Sequence, residues 1–202
     1  MRRTAACLGR RARLRKPLPV LLFFTDPART PDPEAPAARL PPGCAVVFRA
    51  FGAGDAVARG LRLRSVTRRA RNLLLAGADA TLAAAIAADG VHLPERLAHR
   101  ARRLKAAGPG WIVTAAAHDL VSARRAIRHG ADAVVLSAAF ASASPSAARP
   151  LGALKLARLA RRVGGPVYAL GGVNDKTARL LLHAPLIGLA GVEGVLEASA
   201  AR

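Results

Sequence analysis

Short apolar runs alternate with longer segments in which Arg is interleaved with Ala and Leu along most of the chain. The apolar runs are continuous and do not alternate with polar residues, which is typical of strands in a parallel sheet covered on both faces. This pattern predicts eight strands, at residues 19–25, 44–49, 72–76, 89–93, 111–115, 133–137, 166–170 and 186–190.

Helical segments are predicted between the strands, at residues 57–71, 78–87, 94–107, 118–129, 151–163, 175–183 and 192–200. A proline-rich loop after the first strand leaves room only for a stub of helix around residues 37–40. Consecutive strand–helix units predict a (β/α)₈ TIM barrel, a small single domain over residues 18–202. An open doubly wound sheet is the alternative, but eight units in a row favour closure.

A basic segment, residues 1–17, precedes the first strand and is expected to be a disordered tail. Its neighbouring apolar run is too short for a membrane helix, so no membrane association is expected. Two cysteines, Cys7 and Cys44, have no metal-ligand spacing and indicate a reducing, cytoplasmic setting.

The formal net charge is +20, which raises the question of a nucleic-acid partner. Arginines are spread over every helical segment, and aromatic residues make up only 3% of the chain. Because single-strand binders combine basic and aromatic residues, solvated helix faces are the preferred interpretation and nucleic acid is disfavoured.

Two small-residue turns follow the seventh and eighth predicted strands. They are Gly171-Gly172 and Ala190-Gly191. Barrels often bind phosphate with these two loops, and glycine lets the backbone approach an anion closely. A phosphate site is therefore predicted here; the alternative is that the glycines simply end their strands.

Other polar residues fall at predicted strand ends. Arg49 could grip phosphate oxygens in a fork, although a surface Arg is the alternative. Ser142 and Ser144 offer hydroxyls to an anion or belong to a flexible Ser/Ala loop. His92 and His118 are candidates for acid–base chemistry or for structural hydrogen bonds.

Carboxylates are scarce at the strand ends. Asp26, Asp79 and Glu95 are the near candidates, and of these Asp79 and Glu95 are the candidate metal ligands. A Mg²⁺ that carries a diphosphate usually needs one or two carboxylates, so this set gives a Mg²⁺ site thin support.

Two motifs carry a resemblance to a known family: Ala-Asp-Gly-Val-His-Leu at 88–93 and Pro-Val-Tyr-Ala-Leu-Gly-Gly-Val at 166–173. With Thr-Asp-Pro at 25–27, they make the chain resemble the family of thiamine phosphate synthase and its paralogue, thiazole tautomerase, over nearly everything except the tail. The resemblance implies a barrel that couples aminopyrimidine methyl diphosphate to thiazole phosphate with Mg²⁺, releasing diphosphate. It assigns Arg49, Ser142 and Ser144 to catalysis.

The match to the family's diphosphate residues is partial. The family's Arg-Glu-Lys after strand two reads Arg49-Ala50-Phe51, so the Lys is lost. Its Asn-Asp after strand three falls on Gly77-Ala78, with Asp79 one position late.

Further along the chain, the family's Thr-x-Thr-Lys keeps its hydroxyls at Ser142 and Ser144 but loses the Lys. The family's Ser after strand five falls on Ala116, and the tautomerase His falls near Ala138.

Three hypotheses follow. The first is a divergent thiamine phosphate synthase, and the second is a degenerate paralogue that binds a phosphorylated small molecule without the coupling reaction. The third is a basic scaffold that binds RNA. A homo-oligomer is left open by the sequence.

Overall fold

The computed structural model describes residues 1–12, 14, 16–142, 149–193 and 195, and within them eight parallel strands close into a barrel. Each strand pairs with the next along the chain, and β8 pairs with β1. The predicted TIM barrel is confirmed, and the doubly wound sheet is wrong. The strands are β1 (Leu21–Phe24), β2 (Ala45–Phe48), β3 (Leu73–Gly77), β4 (Gly90–Leu93), β5 (Ile112–Ala117), β6 (Ala133–Leu136), β7 (Val167–Ala169) and β8 (Gly188–Gly191).

Helices cover the outside of the barrel. They are α1 (Arg2–Arg11), α2 (Glu34–Ala38), α3 (Ala56–Arg69), α4 (Ala80–Ala85), α5 (Ala101–Ala107), α6 (Leu120–Arg128), α7 (Gly152–Val163) and α8 (Asp175–Arg179). The segment predicted as one helix at 94–107 begins as a 3₁₀ helix, Glu95–Arg100, and continues as α5. The helix predicted at 192–200 lies mostly outside the described residues.

The strands alternate between two buried layers. Leu21 and Phe23 of β1 belong to the layer that packs against the helices. Leu22 and Phe24 belong to the second cluster, which also contains the fully buried Tyr168 of β7. The Tyr168 hydroxyl donates a hydrogen bond to the Pro19 carbonyl at 2.5 Å. Because the strands are buried on both sides, their sequences are mostly apolar, with His92 of β4 and Thr114 of β5 as buried polar exceptions.

The basic segment at the start of the chain differs from the expected disordered tail. Residues 2–11 form α1, which contacts β8 and α8 and buries Ala5 and Leu8. Gly9 allows the close approach, because a Cβ there would lie 2.2 Å from Cγ1 of Val20. Ala5 and Leu8 share one helix face, whereas the arginines give the segment the composition of a solvated tail.

Two carboxylates tie neighbouring strands together at the N-terminal end of the barrel. Asp89 accepts hydrogen bonds from the Leu74 N–H at 2.8 Å and from the Arg64 guanidinium. Asp132 accepts from the Val113 N–H at 2.8 Å and from Lys105 at 2.8 Å. Barrel enzymes use the opposite end for chemistry, so these carboxylates serve stability.

No helix among the described residues is both long and apolar enough to cross a bilayer. Cys7 and Cys44 are both free, and Cys44 is buried.

Candidate functional site

A cavity of about 1070 Å³ opens at the carboxyl ends of the strands. Its lining includes residues at or after each of the eight strands, from Phe24 of β1 to Gly191 of β8. A cavity of this size holds a small-molecule ligand, and this end of a barrel is where ligands bind.

Arg49 lies in the cavity wall immediately after β2, with 26% of its side chain exposed. Its Nε donates a hydrogen bond to the Thr25 carbonyl at 2.6 Å, and Nη2 donates to Oδ2 of Asp26 at 3.2 Å. The guanidinium carbon lies 5.8 Å from the centre of the Phe24 ring and 5.3 Å from that of Phe51. Burial lowers the pKa of Arg49, but an Arg keeps its charge at neutral pH. Arg49 is therefore a fixed, partly desolvated cation in the wall.

Asp26 binds a second cavity arginine. Arg29 donates to Oδ2 of Asp26 from Nη2 at 3.0 Å and from Nε at 3.3 Å. Burial alone would raise the pKa of Asp26, but the hydrogen bonds from Arg29 and from backbone N–H groups leave it below its ordinary value. One ionised carboxylate thus holds two guanidinium groups side by side.

His92 of β4 is buried at the base of the cavity. Its Nδ1 lies 2.9 Å from Oγ1 of Thr114, and its ring meets the Phe24 ring edge-on at 4.9 Å between centroids. Burial, reinforced by the charge of Arg49, lowers the pKa of His92 to about 3. The imidazole is therefore neutral at physiological pH and has no imidazolium proton to give.

His118 follows β5 and is exposed in the cavity mouth. Its Nδ1 lies 3.1 Å from Oγ of Ser137 and 3.2 Å from the Ser137 carbonyl oxygen. The sequence carries no signal for this pair, because the two residues lie 19 positions apart and meet only at neighbouring strand ends.

The turn after β7 places Gly171 and Gly172 in the cavity lining. Both have positive φ, +96° and +61°, which glycine adopts readily. A Cβ on Gly172 would lie 2.2 Å from the Ala141 carbonyl oxygen, in the loop after β6. The Gly171 carbonyl accepts a hydrogen bond from the Phe140 N–H at 2.9 Å. These glycines let two loops pack closely as well as exposing backbone to the cavity.

The remaining residues of the predicted phosphate region fall in different places. Gly191 lines the cavity, whereas Ala190 is fully buried within the barrel wall. Ser142 lines the cavity and has a polar interaction of its own. Ser144 lies outside the described residues.

The two candidate metal ligands do not meet. Asp79 lines the cavity, but its Oδ1 accepts the Leu82 N–H at 2.8 Å as the N-cap of α4. Glu95 is absent from the lining, and its Oε1 lies 3.7 Å from Nη2 of Arg125 on α6. Among the described residues, no three His, Cys, Asp or Glu side chains form a group that could hold a metal. With Oδ1 of Asp79 engaged in the helix cap and Glu95 directed toward Arg125, the two carboxylates do not form the pair expected of a Mg²⁺ site.

Arginine is the charged residue that dominates the cavity. Besides Arg49, the lining contains Arg29, Arg96 and Arg100, against the two carboxylates Asp79 and Glu193. The sequence pattern does not distinguish Arg29, Arg96 and Arg100 from the other arginines, because each lies in a segment whose composition is typical of a solvated surface.

The chain is similar to known proteins in both sequence and fold. The family model described as thiamine monophosphate synthase matches residues 26–195. The thiamine-phosphate synthase of Chloroflexus aurantiacus is 34% identical over 148 residues, covering 70% of this chain and 66% of that protein. That of Alcanivorax borkumensis is 30% identical over 177 residues, covering 84% and 82%. The solved structure of thiamine phosphate pyrophosphorylase from Pyrococcus furiosus matches with a TM-score of 0.74 and 26% identity, covering 89% of this chain and 91% of that one.

Proposed function

Because the chain belongs to the thiamine monophosphate synthase family, we propose that it couples an aminopyrimidine methyl diphosphate to a thiazole phosphate in the barrel mouth. Family membership supports a role in thiamine biosynthesis. The observation that carries the proposal is that one cavity is lined both by Arg49 and by the Gly171-Gly172 turn. The Arg49 guanidinium suits a leaving diphosphate, and the glycine turn suits the phosphate of the second substrate.

The reaction calls for charge stabilisation more than for proton transfer. As the C–O bond breaks, its electron pair leaves with the diphosphate, and the thiazole nitrogen then forms the new C–N bond to the pyrimidine carbon. The fixed guanidinium of Arg49 can stabilise the charge that develops on the leaving group. Neutral His92, buried between Phe24 and Thr114, supplies shape and a hydrogen bond to the wall. Because Asp79 and Glu95 do not form a Mg²⁺-binding pair, we assign this charge stabilisation to the arginines.

The test is to incubate the purified chain with both substrates, with and without Mg²⁺, and to measure thiamine phosphate. Formation of the product above a protein-free control supports the proposal, as does rescue of a bacterial strain that lacks its synthase. No product and no rescue would reject coupling as the function.

A second candidate function is binding of a phosphorylated small molecule without coupling. It is favoured by the orientation of Glu95 toward Arg125 and by the capping role of Asp79, which keep the two candidate metal ligands apart. In this case thiazole phosphate raises the melting temperature although no thiamine phosphate forms.

A further inference from the structure

We propose that the cavity arginines bind a diphosphate group directly, as an anion site that takes the place of a Mg²⁺–diphosphate site. The ligand class rests on the proposed function, but the site itself rests on charge and geometry at the barrel mouth. Its centre is the arrangement of Arg29, Asp26 and Arg49, hereafter the arginine clamp.

The clamp leaves positive charge uncompensated. Oδ2 of Asp26 accepts hydrogen bonds from Arg29 at 3.0 Å and from Arg49 at 3.2 Å, so one carboxylate neutralises only one of two guanidinium groups. The side chains of Arg29, Arg49 and Asp26 are 27%, 26% and 20% exposed. A partly buried cation without a counterion is costly, and an anion in the cavity would remove that cost.

The clamp is also preorganised. Nε of Arg49 is fixed by the Thr25 carbonyl, and the Phe24 and Phe51 rings flank the guanidinium. Among the described residues, Nη1 of Arg49 and Nη1 of Arg29 have no hydrogen-bond acceptor. A guanidinium whose orientation is fixed and whose outer donors are free can bind phosphate oxygens in its fork geometry.

Two further arginines extend the positive wall. Arg96 and Arg100 lie on the 3₁₀ helix after β4, and both line the cavity. Neither forms an ion pair with a carboxylate in the described part of the chain. A diphosphate carries more charge than one guanidinium can balance, so the clamp and these exposed arginines together suit it better than a single phosphate.

The experiment is titration of the chain with inorganic pyrophosphate by calorimetry, once in EDTA and once in Mg²⁺. We expect binding in EDTA. Arg49→Ala should weaken it by about ten- to a hundred-fold, the range for losing hydrogen bonds to a charged group, and Arg29→Ala should also weaken it. Arg69→Ala is the matched control, because it removes an exposed arginine of α3 that does not line the cavity. It should change the affinity less than about twofold.

Two conservative variants keep the test sharp if an alanine variant folds poorly. Arg49→Lys retains the charge but not the fork, and should still weaken pyrophosphate binding several-fold. Asp79→Asn retains the α4 cap, since Asn caps helices as well as Asp, but removes the carboxylate. It should leave binding equal or tighter, because a negative charge is removed from the cavity.

Binding that requires Mg²⁺, loss of binding in Asp79→Asn, or equal affinities of the Arg49 and Arg69 variants would each overturn the inference. The proposed function fails separately. If the protein binds pyrophosphate in EDTA but forms no thiamine phosphate, the arginine site is supported and the coupling reaction is rejected. If the protein forms thiamine phosphate but binds pyrophosphate only with Mg²⁺, the coupling reaction is supported and the arginine site is rejected.

Discussion

At the scale of single residues, His92 shows how burial decides what a side chain can do. An imidazole at the end of a strand in a barrel mouth is a natural acid–base candidate. Its burial beside Thr114 and Phe24, within reach of the Arg49 charge, instead keeps it neutral. His92 contributes packing and a hydrogen bond. Its burial lowers the free energy of unfolding only in acid.

That cost gives a prediction for stability against pH. The pKa of His92 is lowered from 6.5 to about 3 in the folded chain, so between these values the unfolded state binds the extra proton. The stabilisation is therefore complete above the unfolded pKa and is lost as pH falls, by up to about 1.4 kcal/mol per pH unit. His92→Gln should show a shallower loss of unfolding free energy between about pH 7 and about pH 5, measured by urea denaturation.

The matched control is His183→Gln, which replaces an exposed imidazole. It should follow the wild-type slope. A His92→Gln profile parallel to the wild type would show that His92 is protonated in the fold, and would reopen it as an acid.

Gly172 gives a second prediction at this scale. Gly172→Ala places a Cβ against the Ala141 carbonyl and also requires positive φ, so it should lower the unfolding free energy by about 3 kcal/mol or more. Gly43→Ala is the control, because Gly43 has φ +83° but no atom within 4 Å of the position that a Cβ would take. Its cost should be about 1 kcal/mol. Equal losses in denaturant titrations would mean that the loop after β6 yields to the new methyl group.

At the scale of elements, α1 is a helix packed on the barrel and is an integral part of the fold. It lies against β8 and α8, and the Arg11 guanidinium donates to the Leu182 carbonyl at 3.0 Å. Arg3, Arg10 and Arg11 are exposed, whereas Leu8 is only 1% exposed. A basic composition and a packed helix are therefore compatible, because one apolar face is enough to dock it.

Leu8→Ala should consequently lower the unfolding free energy by about 2–4 kcal/mol, the cost of a cavity in a packed core. Leu154→Ala is the comparison, since Leu154 on α7 is 71% exposed. It should change stability by no more than about 0.5 kcal/mol. If thermal and urea unfolding show the two variants to be alike, α1 does not dock on β8 through its apolar face.

At the scale of the whole molecule, the fold could be predicted well and the site only in part. Each strand is buried on both sides, so the sequence shows eight apolar runs that predict the barrel. The sequence does not predict the direction that a side chain takes after a strand. Glu95, for example, points toward Arg125 and does not line the cavity. The clamp could not be foreseen, because Arg29 lies in a proline-rich loop and meets Arg49 only through Asp26.

The docking of α1 on β8 has a consequence for how the protein is made. The helix precedes β1 in the chain, so it is translated well before the strand against which it packs. At about 5–20 residues per second, that interval is on the order of ten seconds or longer. Until β8 is translated, α1 lacks its partner strand and β1 has a free edge. Barrel closure and the docking of α1 on β8 therefore both wait for the translation of β8.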